Sequence, residues 1–518
     1  MKLMLSMNLI NVRLLLVMWL GLVSPFLVAG KDLYVAQTAQ GSANGNDAAD
    51  SLAGSWFNTA SNWGAGLNQI NPGDMIHLVG TFTSGITAQG SGSPGRYTTI
   101  YFEPGANFTM AAGNAIALGN NNYLLVDGGQ NGLIQNTGNG TGLTQQIPVI
   151  GVSATPSIGN ITVQNLTMTN LFVHAPGTVG TTEVGSGIFL YGAMTNIDVH
   201  GCTIAQIQHG IMLDYAPGSS GNWNIYSNVL LKCGWGIGIG SGNNNSMLTG
   251  LNISNNQVNG QSAWDTSNNY YHENGIYIFA ESAGASVANV TVSGNVLGPD
   301  GGNNSTAALF MSSASGAGIN NVLIYNNILF SQGVYLNNGF ISLSYKINNT
   351  KILNNTLDAN TSKSIGLNMQ SCSNAVFYNN LYADGQQAVM INGYGWTSTL
   401  NAIDFNDYFN LAGGSAGWGG NGGGSFATWQ SVGFDLHSSK TNPGFVNLTK
   451  GDFHLQLANN LGTNLTSLGI SGLNMDKDGK PRPASGRWDA GAYQFNPGVL
   501  SLPVVPSAPQ GLRVVLPK

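Results

Sequence analysis

Apolar residues recur along this chain in short alternating runs, not in helical registers. VQNLTM (163–168), VHGCTI (199–204), IYSNVL (225–230), ISNNQV (253–258), VSGNVL (292–297), IYNNIL (324–329), ILNNTL (352–357), FYNNLY (377–382) and DFNDYF (404–409) share one plan. Each has an apolar residue, a small polar pair that often holds Asn, then more apolar residues. The fourth positions are Leu166, Cys202, Asn228, Asn256, Asn295, Asn327, Asn355, Asn380 and Asp407, at steps of 36, 26, 28, 39, 32, 28, 25 and 27 residues. A second run follows most blocks, as in SGIFLYG (186–192), HGIMLDY (209–215), WGIGIGS (235–241), NGIYIFA (274–280), IGLNMQS (365–371) and AVMINGY (388–394). These alternate at period two, as half-buried strands do. Each unit therefore holds at least two short strands and no helix.

A unit this short cannot bury its own apolar face, but stacked units can, each strand pairing in parallel with the one a turn below. Turns then rise by about 4.8 Å, the inter-strand spacing. Asn at a fixed turn position is expected to bond the neighbouring turns and to tolerate a left-handed bend. A propeller needs four strands in about 40 residues per blade, and the shorter steps leave no room for them.

With these motifs in place, the chain resembles the secreted right-handed parallel β-helix proteins of the pectate-lyase-like superfamily. DLYVAQTAQGSANGND (32–47), NPGDMIHLVGTFT (71–83), YTTIYFEPGA (97–106) and NNYLLVDGG (121–129) are similar to that group's N-terminal segment and early coils. FDLHSSKTNPGFVN (434–447), GDFHL (451–455) and DKDGKPRP…WDAGAYQF (476–495) resemble its closing segment. The resemblance implies an all-β solenoid of about eleven coils. The expected layout is a signal peptide over 1–30, an N-terminal cap and entry to the helix over 31–74, the β-helix over 75–410, a closing segment over 411–496 and a Pro-rich tail over 497–518. In that tail PSAPQGLRVV resembles the first strand of a fibronectin type III module and is read as a linker stub.

Composition changes the picture in three places. LLLVMWLGLV (14–23) before VAG (28–30) has the length and flanks of a signal peptide, with an uncleaved anchor as the rival. Export to the extracellular space or cell surface is expected, with no membrane contact after cleavage. Three widely spaced cysteines, Cys202, Cys233 and Cys372, make no disulfide framework and suit an apolar interior. Charged residues are only 7% of 518, the net charge is −6, and Lys232 is the only Lys or Arg between Arg96 and Lys346. No basic patch exists for nucleic acid.

Chemistry on such a fold belongs to the loops that interrupt its coils. The three longest steps hold LFVHAPGTVGTTEVGS (171–186), NGQSAWDTSNNYYHEN (259–274) and GPDGGNNSTA (298–307). Aligned on Gly187, Gly210, Gly236 and Gly275, the preceding residues Ser186, His209, Trp235 and Asn274 fall in one column, with Lys232, His272 and Glu273 nearby and Asp214 and Glu281 further along. Trp235, Trp264, Tyr270, Tyr271 and Tyr277 are candidate faces for sugar rings. Glu273, at the mouth of the longest insertion, is the leading candidate for a general acid or base, with His272, His209, Asp214, Lys232 and Glu281 as companions. Asp214 is expected to be exposed. Asp214 and Glu281 are read as two coils apart, and Glu183 could approach from the first insertion.

A polysaccharide is the expected partner and a monomer the expected state. No cofactor or metal ligand set is expected, calcium entering only if the protein is a lyase. In similar lyases that act on polyuronates, Lys or Arg and calcium serve the reaction. This chain departs from that pattern, so a glycoside hydrolase is favoured over a lyase. The alternative is a non-catalytic glycan-binding or cell-surface structural protein.

Overall fold

The computed structural model describes residues 30–495, except 131, 157–158, 304, 333–335, 337, 361–363, 386, 393–399, 412–417 and 420–423. The signal-like segment before 30 and the Pro-rich tail lie outside the described residues.

The chain winds into a right-handed parallel β-helix, the hand that parallel crossovers almost always take. A 14-stranded sheet runs from Leu52–Ala53 at its edge through Asp32–Ala36 and Met75–Val79 to Leu400–Asp404, all its strands pairing in parallel. Stacking thus begins at Asp32, within the segment read as the cap and entry to the helix. A 22-stranded sheet closes the other side. Along most of its length it consists of two stacks separated by a corner. They fuse where Thr203–Tyr215 and Val229–Ser241, of 13 residues each, run through that corner without interruption.

The interior is built of aliphatic columns. Ile188, Ile211, Ile237, Ile276, Leu309, Ile341, Leu367 and Val389 stack rung on rung, all at most 1% exposed. Cys202, Cys233 and Cys372 are free thiols buried among such residues.

At the turn after each strand of the first sheet from Gly218–Tyr226 to Leu400–Asp404, the expected Asn ladder is present. Asn228, Asn256, Asn295, Asn327, Asn355, Asn380 and Asn406 are all buried. Each side-chain carbonyl accepts from the backbone N–H of the residue one turn back, as Asn327 Oδ1 does from Asn295 N at 2.9 Å. The left-handed bend belongs to the preceding residue: Ser227, Asn255, Asn326, Asn354, Asn379 and Phe405 all have φ between 51° and 58°. The ladder therefore ends on Asn406, one place before the expected Asp407. Asp435 caps it, accepting from Asn406 Nδ2 (3.0 Å), Tyr408 Oη (2.9 Å) and Trp429 Nε1 (2.7 Å). The rest of the closing segment folds back along the side of the helix, where Leu465, Leu473 and Trp488 cover Leu353. No helix among the described residues is long and apolar enough to cross a membrane.

Candidate functional site

All three insertions leave the helix at one corner, the corner that Thr203–Tyr215 and Val229–Ser241 pass without a loop. The first insertion precedes these two rungs and the second follows them, so the loops meet across them. Gly180 and Asn268 exchange two hydrogen bonds (3.0 and 2.8 Å), and Gly177 N donates to Asp265 O (2.7 Å). The third insertion ties to the second through Asn303, which donates twice to the Asp265 carboxylate at 2.7 Å. Trp264 is the centre of this ridge. Its indole is 1% exposed, stacks on His174 (4.7 Å), meets Tyr271 edge-on (5.1 Å), and donates to Lys232 O (2.9 Å). The indole packs closely on Gly234, where a Cβ would lie 3.4 Å from Trp264 Cβ and Cγ.

The ridge corrects several sequence expectations. Trp264 and Tyr271 are packed inside it and offer no face to a ligand. Tyr270 is half-buried against Tyr271 (5.1 Å). Glu273 has no exposed surface, and neither carboxylate oxygen has a hydrogen-bond partner among the described residues. Burial pushes its pKa up to about 8. As arranged, its carboxyl cannot touch a ligand and is held neutral. His272 takes the left-handed corner (φ 48°), and its carbonyl, with that of Tyr271, accepts from Trp235 Nε1 (3.2 and 3.0 Å). Its side chain is exposed.

The ridge separates two surfaces. On one side Lys232 lines a cleft. On the other, the column read from the sequence is present: Ser186 pairs with His209, His209 with Trp235, and Trp235 with Asn274. Beyond it, outward positions carry an aromatic floor. Trp235 meets Tyr277 edge-on (5.0 Å), and Tyr277 stacks on Phe279 (4.7 Å) and Phe310 (4.9 Å). All four rings keep part of their surface exposed. Phe279 lies over Gly240, where a Cβ would overlap its ring. Sequence reasoning named Trp235 and Tyr277 but missed Phe279 and Phe310. The signal was present in the period-two alternation, which puts 277, 279 and 310 on the outward parity.

Two carboxylates border this floor. Asp214 is half-buried, not exposed as expected. Its Oδ1 has no partner among the described residues, and desolvation raises its pKa to about 6. Register carries Asp214 through Gly240 to Phe279, so Glu281 lies two rungs away and two residues further along. Glu281 accepts from Ser312 Oγ and from Ala314 N (3.1 Å). At the opposite border His209 bonds Ser186 Oγ (3.3 Å) and tilts against Trp235 (4.7 Å). Burial lowers its pKa to about 4, so the ring is neutral at ordinary pH. Glu183 does reach over from the first insertion. It accepts from Gln208 Nε2, and its Oε2 lies 3.7 Å from His209 Nε2.

No protein-family model matches this chain, and no curated protein does. Among solved structures it is similar to the GH136 lacto-N-biosidase from Eubacterium ramulus. The identity is 15% and the TM-score 0.49, over 74% of this chain and 68% of that one. Pectate lyase Pel9A is similar at 16% identity and TM-score 0.40, over 90% of this chain and 97% of that one. XylC in complex with xylose is similar at 12% identity and TM-score 0.48, over 90% and 98%. The β-helix itself follows from the strand pairing.

Proposed function

We propose that this chain is an exported carbohydrate-active β-helix protein that binds an extracellular polysaccharide on the aromatic floor and cleaves it as a glycoside hydrolase. Because one fold hosts many activities, the reading rests on the site. The observation that carries it is Asp214, a half-buried carboxyl on the outward face whose proton is held to about pH 6 by desolvation alone. Such an environment suits a general acid. Asp214 then protonates the departing glycosidic oxygen. Glu281, oriented by Ser312 and Ala314, takes a proton from the water that attacks the anomeric carbon. Trp235 and Phe310 take the apolar faces of sugar rings, since Tyr277 is stacked on both Phe279 and Phe310.

A lyase needs a base and cations at a uronate. His209, held neutral, supplies no cation, and Lys232 lies across the ridge from the floor, which supports hydrolysis over elimination. Export rests on the sequence of 1–30. One observation favours the non-catalytic alternative. Two rungs separate Asp214 from Glu281 by about 10 Å vertically at the backbone, with a further offset of two residues along the strand, against roughly 6.5–9.5 Å between carboxyls in inverting enzymes.

The test is a panel of neutral and acidic polysaccharides, read by reducing-end release and by the ultraviolet absorbance of unsaturated products. Reducing ends without unsaturated product, lost in Asp214→Asn and in Glu281→Gln, are expected. Unsaturated product would establish a lyase. Binding that Trp235→Ala weakens, with no cleavage, would establish the glycan-binding reading. Neither binding nor cleavage by the folded protein would refute both.

A further inference from the structure

On the far side of the ridge, a cleft of about 330 Å³ opens among the three insertions. That is near the low end of small-molecule sites, roughly 300–1,000 Å³. It has room for a single sugar ring and its substituent, not for a run of chain. Val173, Pro176 and Ala263 supply apolar wall, and Gln206, Ser262 and Asp300 supply polar groups. Lys232 lines it with an exposed side chain.

Several features hold Lys232 there. Its backbone takes the left-handed corner (φ 54°), an uncommon conformation for a residue with a Cβ. Its carbonyl is fixed by Trp264 Nε1. Gly260 faces it, and a Cβ on Gly260 would come 3.1 Å from Lys232 Cγ, so the glycine leaves room for the lysine stem. The ammonium makes no ion pair among the described residues. Asp300 shares the cleft and opposes an anion. Its carboxylate, however, is engaged by Ser262 Oγ (2.5 Å), Ser262 N (3.4 Å) and Gly302 N (3.1 Å).

We infer that this cleft is an accessory subsite for one anionic substituent, a carboxylate or sulfate ester, carried by a sugar residue of an otherwise neutral glycan. The inference rests on the carbohydrate reading above and narrows its substrate class. The charge pattern supports it. A lone cation set in a mildly acidic surface suits one isolated negative charge, whereas a polyanion would be repelled along its length. Lys232 meets the anion in a charge-assisted hydrogen bond, and Gln206 and Ser262 are placed for neighbouring hydroxyls.

The experiment is equilibrium titration of the mature chain with methyl glucuronide, methyl glucoside 6-sulfate and methyl glucoside. At least one anionic probe is expected to bind about tenfold more tightly than the neutral one, the worth of one charge-assisted hydrogen bond. Which anionic arm binds identifies carboxylate or sulfate. Added salt should narrow the gap. Lys232→Gln, and Lys232→Asn as a variant better suited to the left-handed corner, should abolish it with the melting temperature unchanged. Equal binding of all three probes, no binding, or preference that survives in both variants would overturn the inference. Asp214→Asn separates this result from the cleavage reading, since it removes hydrolysis and leaves probe binding intact.

Discussion

Replacing Glu273 by Gln should make this protein more stable at neutral and alkaline pH. The carboxyl has no exposed surface, and its pKa stands at about 8 against an ordinary 4.5. In the unfolded chain the group ionises near 4.5, whereas in the folded chain it keeps its proton to about 8. Between those values the folded state binds the extra proton, so stability falls as pH rises. The loss begins near pH 4.5 and is complete above pH 8. At 1.36 kcal/mol per pH unit it reaches on the order of 5 kcal/mol. Gln has a similar shape and does not ionise, but its amide inherits the same lack of partners, which costs about 1–3 kcal/mol. Wild type should therefore equal or exceed Glu273→Gln in stability near pH 4.5, and the variant should win clearly at pH 8. The assay is the melting temperature of both proteins from pH 4 to 9. The other perturbed groups, such as Asp214, His209 and Asp358, titrate in both proteins and cancel in the comparison. A difference between the two proteins that stays flat across pH 4.5–8 would refute the burial argument.

Other outcomes follow from the same geometry. If Asp214 is the general acid, kcat/KM should fall as pH rises through about 6, where its raised pKa places loss of the proton. A rate that climbs through that range would remove Asp214 from the role. Asn327→Ala should cost about 3 kcal/mol or more in chemical denaturation, because it strands the buried Asn295 N–H and the Val292 carbonyl. A cost under about 1 kcal/mol would mean the ladder contributes little beyond shape. Trp264→Ala should cost up to about 3–5 kcal/mol, felt chiefly in the ridge. Hydrogen exchange should speed up across 172–184 and 260–273 while the paired strands keep their protection.

The repeat was legible because its causes are local. Period-two alternation, an Asn at a fixed step and the absence of helical pattern each report on a strand or a turn within a few residues. The column of Ser186, His209, Trp235 and Asn274 was legible for the same reason, since parallel pairing turns sequence alignment directly into spatial adjacency. Burial within the insertions was not legible. Whether Trp264 or Glu273 faces solvent depends on how two loops 88 residues apart close on each other, as Gly180 and Asn268 do. No period in the sequence reports that contact. Tyr271 and Tyr277, six residues apart, carry the same side chain, yet one is packed in the ridge and the other lies on the floor.

The tight corners at Gln206 and Lys232 explain why the candidate site residues gather at this level of the helix. Had those rungs carried loops, the first and second insertions would be held apart and each would lie alone on the surface. Because the chain passes the corner directly, the loops span the gap and bury Trp264 between them. The ridge they form gives an otherwise uniform solenoid two different sides. One side keeps exposed aromatic rings beside two carboxylates, and the other keeps a single cation in a cleft. A polysaccharide lying across the ridge would therefore meet aromatic stacking on one flank and charge selection on the other. Loosening the ridge should impair both together, whereas substitutions on either flank should act separately. Trp264→Ala in combination with Lys232→Gln measures this for the cleft flank. If the ridge organises both flanks, the double variant should discriminate anionic probes no worse than Trp264→Ala alone.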